Sequence, residues 1–593
     1  MPEKDDVSLA SPHGPATRAV CIASMPRASY KRWRNSGRSR LSKLVRSSLV
    51  LSILLPVACA GGNAERSQES LGIAASRIET HMRFLAADEL GGRATATRGY
   101  LRAAEYVAAK FEELGLEPAG ADDSFYQSVP LIAGHLLADE SRLTLVRGPQ
   151  ETELEIEVDF VLEPDFLRQG VELTAPLVFV GFGVRAPEFD HDDYSEIDAR
   201  GKIAVMLRGA PDRFPHNERA FYSSSTMKLR TAAEQGAAGV VYMKLPRARE
   251  NFPWERTVIH SRMPSMRWLE PGGRPHAVHE ELFVIALLST DGEVKLFEGE
   301  ERSLSQVFAG AEAGQPVSFD LSTQLRVFAV TRHERRKSPN VLARLAGRDP
   351  ALADEYVVLT AHLDHVGSVP VATGEDGIHN GAYDNASGVA MLLEVAAAML
   401  SAAEPPRRSV LFAALTGEEK GLLGSEYFVE NPTVDLEGLV ADINLDMVLM
   451  FHPLKDVVAF GAEHSTLERV VERAARGVGV TVGPDPIPEL AFFVRSDQYS
   501  FVRKGIPSIF LVSGFDAGTD DGLEQFHQWM RDVYHTPADD MGQAFDFEAG
   551  ADFARLNLLI ATEVANAEER PRWNAGDFFG KRFGSPRQAA AEP

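Results

Sequence analysis

Cysteine is almost missing from this chain. Among 593 residues only Cys21 and Cys59 occur, both near the N-terminus, which excludes a disulfide scaffold and any cysteine-based zinc site in the body of the protein. Basic charge is also scarce: 61 Lys and Arg stand against 85 Asp and Glu, a formal net charge of −24. A chain this acidic lacks the basic face that nucleic-acid binding requires. Its acidity reads as a solvated surface. No apolar run reaches the roughly 20 residues of a membrane-spanning helix. The 48 Gly and 34 Pro form no collagen-like or low-complexity pattern. The absence of a Gly-x-Ser-x-Gly elbow and of a His-Glu-x-x-His helix argues against a serine hydrolase and a single-zinc protease of those types.

What is present begins with an address. Residues 26–46 hold eight basic residues and no acid, and the apolar run from Leu49 to Ala58 leads into Cys59-Ala60-Gly61-Gly62. A basic stretch, a short apolar stretch and small residues after it make a bacterial secretory signal. The expectation is a signal peptide over 1–58, a linker over 59–70, and export to the periplasm, the outer membrane or the medium. The ending Leu54-Leu55-Pro56-Val57-Ala58-Cys59 resembles a lipoprotein signal, which makes Cys59 a candidate lipid anchor. Pro56 departs from that pattern.

Beyond the linker the texture changes twice. Residues 71–118 carry apolar positions at helical spacing, as in Ile78, Met82 and Leu85. From about 130 to 325 the chain reads as short strands with turn signals. From 338 to about 565 strand, loop and helix alternate, with buried strands at 356–360, 409–414, 441–445 and 508–512. That alternation predicts an α/β fold with a mixed, mostly parallel sheet covered by helices on both faces. Sites in such sheets lie at the carboxyl ends of the strands. The expected division is 71–130 as the first part of a catalytic domain, 131–325 as a β-rich insert, 326–567 as the rest of the catalytic domain and 568–593 as a tail.

Acids and histidines gather where the strands end. Strand 356–360 runs into Ala361-His362-Leu363-Asp364-His365, strand 409–414 into Gly417-Glu418-Glu419, and strand 441–445 into Asp446. One loop presents Asp384-Asn385 before a helix, and a late loop presents Tyr534-His535-Thr536-Pro537. A His and carboxylate set without cysteine suits zinc or a similar divalent ion. Two ions need a shared carboxylate, and one carboxylate must stay off the metal to move a proton. The adjacent Glu418 and Glu419 can divide those jobs.

Taken in order, His362-x-Asp364, Asp384-Asn385-Ala386-Ser387-Gly388, Glu418-Glu419, Asn444-Leu445-Asp446 and Tyr534-His535-Thr536-Pro537 resemble the M28 zinc peptidases. The stretch 194–205, followed by 232–241, resembles a protease-associated (PA) domain, an insert found in aminopeptidases of that family. The resemblance implies two zinc ions per chain. One is held by His362 and Asp446, the other by Glu419 and His535, with Asp384 bridging. It makes Glu418 the general base, passing a proton from the attacking water to the leaving amine. Asp364 holds His362 from behind and fixes its tautomer. His365 and His379 read as polar wall or surface rather than ligands. Gln498 stands where relatives often have His, at a position that is not a ligand.

The implied function is an exported aminopeptidase acting on peptides. The alternatives are a carboxypeptidase or dipeptidase on the same site, or a binding lipoprotein that has lost catalysis. Neither oligomeric state nor side-chain preference is readable from the sequence.

Overall fold

The structure is a computed structural model that describes residues 72–249, 253–369, 371, 374–516, 518 and 521–584. The expected signal peptide, the expected linker with Cys59 and the last nine residues of the chain lie outside the described residues. The described residues all fall within one compact unit.

Two sheets organise it. In the first, here called the catalytic sheet because the candidate residues of the sequence lie at its strand ends, the strands Ser409–Leu415, Tyr356–His362, Leu439–Leu445 and Ser508–Ser513 lie side by side and run parallel. Every residue of these four strands is buried, as expected of parallel strands covered on both faces. Antiparallel strands flank them: Asp456–Phe460 beside Ser508–Ser513, and Phe319–Leu345 beside Ser409–Leu415. Alternation along Tyr356–His362 sends Val357, Leu359 and Ala361 to one core and Tyr356 and Val358 to the other. The first core lies under helices Ala75–Leu85, Ser387–Leu400 and Phe547–Asn566. The second lies under Leu423–Glu430 and Gln498–Val502, through Phe428, Val429 and Phe501. The mixed sheet with helices on both faces is the architecture expected from the strand–loop–helix alternation.

The helix ends follow local chemistry. Arg98–Leu114 starts where the Thr97 side chain accepts a hydrogen bond from Tyr100 N, and stops at Gly115, whose φ of 80° suits glycine. Its buried Tyr100, Ala103, Ala104, Val107 and Phe111 mark one face.

The second sheet is built from residues between 142 and 330. Its strands Gly170–Phe179, Ile203–Leu207, Gly239–Met243 and Ile285–Leu288 run parallel. The 27-residue strand Phe319–Leu345 pairs with Gly170–Phe179 in this sheet and with Tyr126–Leu136 and Ser409–Leu415 in the catalytic sheet. The chain therefore enters and leaves this region through one antiparallel ribbon, Tyr126–Leu136 against residues 331–341. Further contacts fasten the region. Ser265–Trp268 adds to the edge of Tyr126–Leu136, and Trp268 Nε1 donates to Glu426 Oε2 at 3.0 Å. Phe221 packs on Phe578 of the last described helix at 5.4 Å between ring centres.

Candidate metal centre

Strand register builds the first half of the site. Thr360 pairs with Asn444, so two residues further on His362 comes level with Asp446. His362 Nε2 stands 3.0 Å from Asp446 Oδ1 and 3.2 Å from Asp384 Oδ1. Its Nδ1 donates to the Asp364 main-chain oxygen at 3.1 Å, which leaves Nε2 as the atom facing the carboxylates. Behind Asp446, the Ser496 hydroxyl donates to Oδ2 at 2.6 Å.

The second half comes from turns. Glu419 sits in the short turn Glu418–Lys420, between Gly417 and Gly421 with φ of 71° and 101°. His535 lies in the loop after Gly522–Asp532. His535 Nε2 is 3.1 Å from Asp384 Oδ2 and 3.2 Å from Glu419 Oε1. Tyr534 stacks on its ring at 3.9 Å. Asp384 joins the halves, one oxygen toward each histidine. The Asp539 carboxylate holds its loop by accepting from Tyr383 N at 2.9 Å and Asp384 N at 3.1 Å.

The donor set fits paired divalent ions. Ligands about 2.0–2.2 Å from one tetrahedral ion stand roughly 3.3–3.6 Å apart, and the four His–carboxylate separations above, 3.0–3.2 Å, lie just inside that spacing. Two metal-capable groups emerge, His362 with Asp384 and Asp446, and His365 with Asp384, Glu419 and His535. All five sequence-derived ligand candidates are thus brought together. His365, read from sequence as wall, joins them: it is fully buried and its Nδ1 lies 2.7 Å from Glu419 Oε1.

Glu418 lines a cavity of about 1080 Å³, together with Glu419 and Lys420 from the catalytic domain and Arg208, Tyr242 and His260 from the second sheet's region. Burial, reinforced by Asp446 and Glu419, pushes the Glu418 carboxyl well above its ordinary value, against the pull of His362. Burial alone would lower His535, but Glu419 and Asp384 carry it up to about 9. The Asp364 carboxylate, expected behind His362, lies 4.0 Å from that ring. It accepts instead from Thr95 Oγ1 at 2.8 Å and Glu418 N at 3.1 Å. Asp364 therefore orients His362 through its main chain and the Glu418 turn through its side chain.

Three residues escaped the sequence reading. Arg93 is buried under the site and donates to the main-chain oxygens of Leu363 at 3.0 Å, Asn380 at 2.6 Å and Gly381 at 3.0 Å. Burial lowers it to about 10, with Asp384, Asp539, Asp364 and Glu419 opposing. Its only sequence signal is the preceding Gly91-Gly92, where the chain turns. His260 reaches over from the second region, its ring 5.5 Å from that of His535 and its Nε2 buried without a partner. His365 is the third. Gln498 braces the floor: Nε2 donates to Phe493 O at 3.0 Å and Oε1 accepts from Asn444 Nδ2 at 2.8 Å.

Residues 340–560, which hold all five ligand candidates and Glu418, match the model of peptidase family M28. Over that stretch, about a third of its length, the chain is similar to that family. Among curated proteins, aminopeptidase YwaD of Bacillus subtilis is 23% identical over 466 residues, 75% of this chain and 83% of YwaD. A protein of Pyricularia oryzae named "Probable zinc metalloprotease" is 27% identical over 269 residues, 40% of this chain and 51% of its own length. The chain thus spans about half of that relative. Among solved structures, the aminopeptidase from Aneurinibacillus sp. strain AM-1 superposes with a TM-score of 0.50 at 20% identity, covering 85% of this chain and 96% of that one. At that identity the likeness concerns the fold. It embraces both sheets, so the shared fold extends beyond residues 340–560.

Proposed function

We propose that this protein is an exported M28 aminopeptidase that holds two zinc ions and removes N-terminal residues from peptides. The observation that carries the reading is the division of labour at Glu418-Glu419. Glu419 is drawn into the second metal-capable group while Glu418 stays outside both and faces the cavity. His362 and Asp446 would hold one ion, Glu419 and His535 the other, with Asp384 between. Bound zinc supplies Lewis acidity toward the substrate carbonyl. Glu418 accepts a proton from the attacking water and delivers it to the departing amine, a task suited to a carboxylate that is not drawn onto either ion. Asp364 holds the Glu418 turn at the angle this transfer needs.

The aminopeptidase reading, over other exopeptidase readings, draws support from the name of the B. subtilis relative, which aligns over most of both chains. The region between 131 and 325 is read as a PA insert that roofs the cavity. Export, with a lipid anchor at Cys59, follows from the sequence signal alone. The test is metal analysis of the purified chain with a panel of free, N-blocked and C-amidated peptides, with and without chelator. Two zincs and chelator-sensitive release of N-terminal residues from unblocked peptides only is the expected result. Cleavage that tolerates an N-block but needs a free C-terminus would replace the reading with a carboxypeptidase. No metal and no turnover would leave a binding protein.

A further inference from the structure

His365 stands apart from the ligand pairs by its distances. The His–carboxylate pairs that would flank an ion are 3.0–3.2 Å apart. His365 Nδ1 lies 2.7 Å from Glu419 Oε1 and 3.9 Å from Asp384 Oδ2. The first is the length of a charge-assisted hydrogen bond, and the second is longer than any of the four ligand-pair separations. The imidazole therefore addresses the carboxylate rather than the space between carboxylates. Its place is tightly defined. A Cβ on Gly381 would come within 2.6 Å of the ring's Cγ and Cδ2, so only glycine admits the ring there. On another side the ring of His535 approaches edge-on at 5.4 Å. Its Nε2 is buried with no partner, so no second hydrogen bond competes for the ring's orientation.

Glu419 needs such a partner more than the other carboxylates do. Asp446 is short, follows a buried strand and is backed by Ser496. Asp384 has its main chain gripped by Asp539. Glu419 has one more rotatable bond and rides on a three-residue turn flanked by glycines.

We propose that His365 is a positioning residue for the second ion. Its Nδ1–H holds Glu419 in the ligating pose, so the half of the site made by Glu419 and His535 depends on it and the half made by His362 and Asp446 does not. The inference rests on the two-zinc reading above.

Zinc affinities of the full chain, measured by competition with a chromophoric chelator, test it. The variants are H365F, which fills the slot without a donor, and H365N, whose amide nitrogen can stand near the Nδ1 position. H365F is expected to weaken one zinc by about 10–100-fold, the range for loss of a ligand's hydrogen-bond partner, and to leave the other unchanged. H365N is expected to recover most of that loss. In an H362A background, which leaves only the second ion, H365F should weaken the zinc that remains. Wild-type affinities in H365F would overturn the inference. So would equal weakening of both ions, or equal defects in H365F and H365N with a lowered melting temperature, which would mark a packing role. A changed ligand-field spectrum of the cobalt(II)-loaded H365F protein, showing a lost nitrogen ligand, would overturn it in favour of direct coordination. A wild-type chain that binds no zinc would instead overturn the two-zinc reading itself.

Discussion

The two halves of the centre reach similar distances by different construction. His362 and Asp446 are placed by the register of neighbouring parallel strands, whose hydrogen-bond ladder leaves little freedom. Glu419 and His535 ride on turns, and His535 itself has a φ of 55°. The turn-built half has collected extra support: Tyr534 stacked on His535, His260 arriving from the other sheet's region, and His365 on Glu419. A ligand at a strand end inherits its position from the sheet. A ligand on a turn must have its position supplied by neighbours, and those neighbours come from far away in sequence.

Five substitutions break or sharpen this contrast. The largest effect is expected from Glu418→Gln, which belongs to neither half. Both zincs should stay while kcat on an unblocked peptide falls by about 10²–10⁴-fold. Loss of metal with the rate restored by added zinc would mean that Glu418 and Glu419 have been assigned the wrong way round. Next, His362→Ala and His535→Ala should each reduce bound zinc by one ion, and which ion survives can be read from the cobalt(II) spectrum. If each variant empties both positions, the halves are not separable. A smaller effect belongs to Ser496→Ala, which removes the hydroxyl behind Asp446. About tenfold weaker binding on the strand-built side is expected, with the turn-built side untouched.

The smallest effect on the centre is expected from Glu426→Gln, a control outside both metal-capable groups. Burial would raise the Glu426 carboxyl, but His276 and Arg503 hold it down to about 2. Its depressed folded-state value means that its contribution to stability is present at neutral pH and is lost as pH falls from the ordinary carboxylate range toward about 2. The variant should cost about 3 kcal/mol at pH 7 and lose that difference from wild type in acid, as denaturant melts across pH would show. Both zinc affinities should be unchanged.

The strand-built half was the more legible in sequence. Buried runs such as Tyr356–Val357–Val358–Leu359–Thr360 announce parallel strands, and polar residues directly after them point to the site. The end of strand 409–414 and two loops offered Glu418, Glu419, Asp384 and His535, and the family motifs then gave them roles. The supporting residues were not legible, for a physical reason. Arg93 acts on main-chain oxygens about 270–290 positions away, and His260 meets His535 across an interface between two sheets. His365 looked like a wall residue because its partner lies on another element. The role of Asp364 was seen, but its main-chain and side-chain parts only separate in three dimensions.

The ribbon of Tyr126–Leu136 and residues 331–341 bears on what can enter. A single-stranded tether could flex and let the roof swing, whereas a two-stranded ladder continuous with both sheets resists bending. With Trp268 bonded to Glu426 beside the ribbon and Phe221 packed on Phe578 away from it, the expectation is that the mouth of the cavity keeps one width and sieves by thickness. It should pass a thin, extended chain end and stop a folded one. A folded protein whose N-terminal strand is packed in its core should stay untrimmed until it is unfolded. N-terminal sequencing before and after denaturation would reveal whether the gate is fixed or moves.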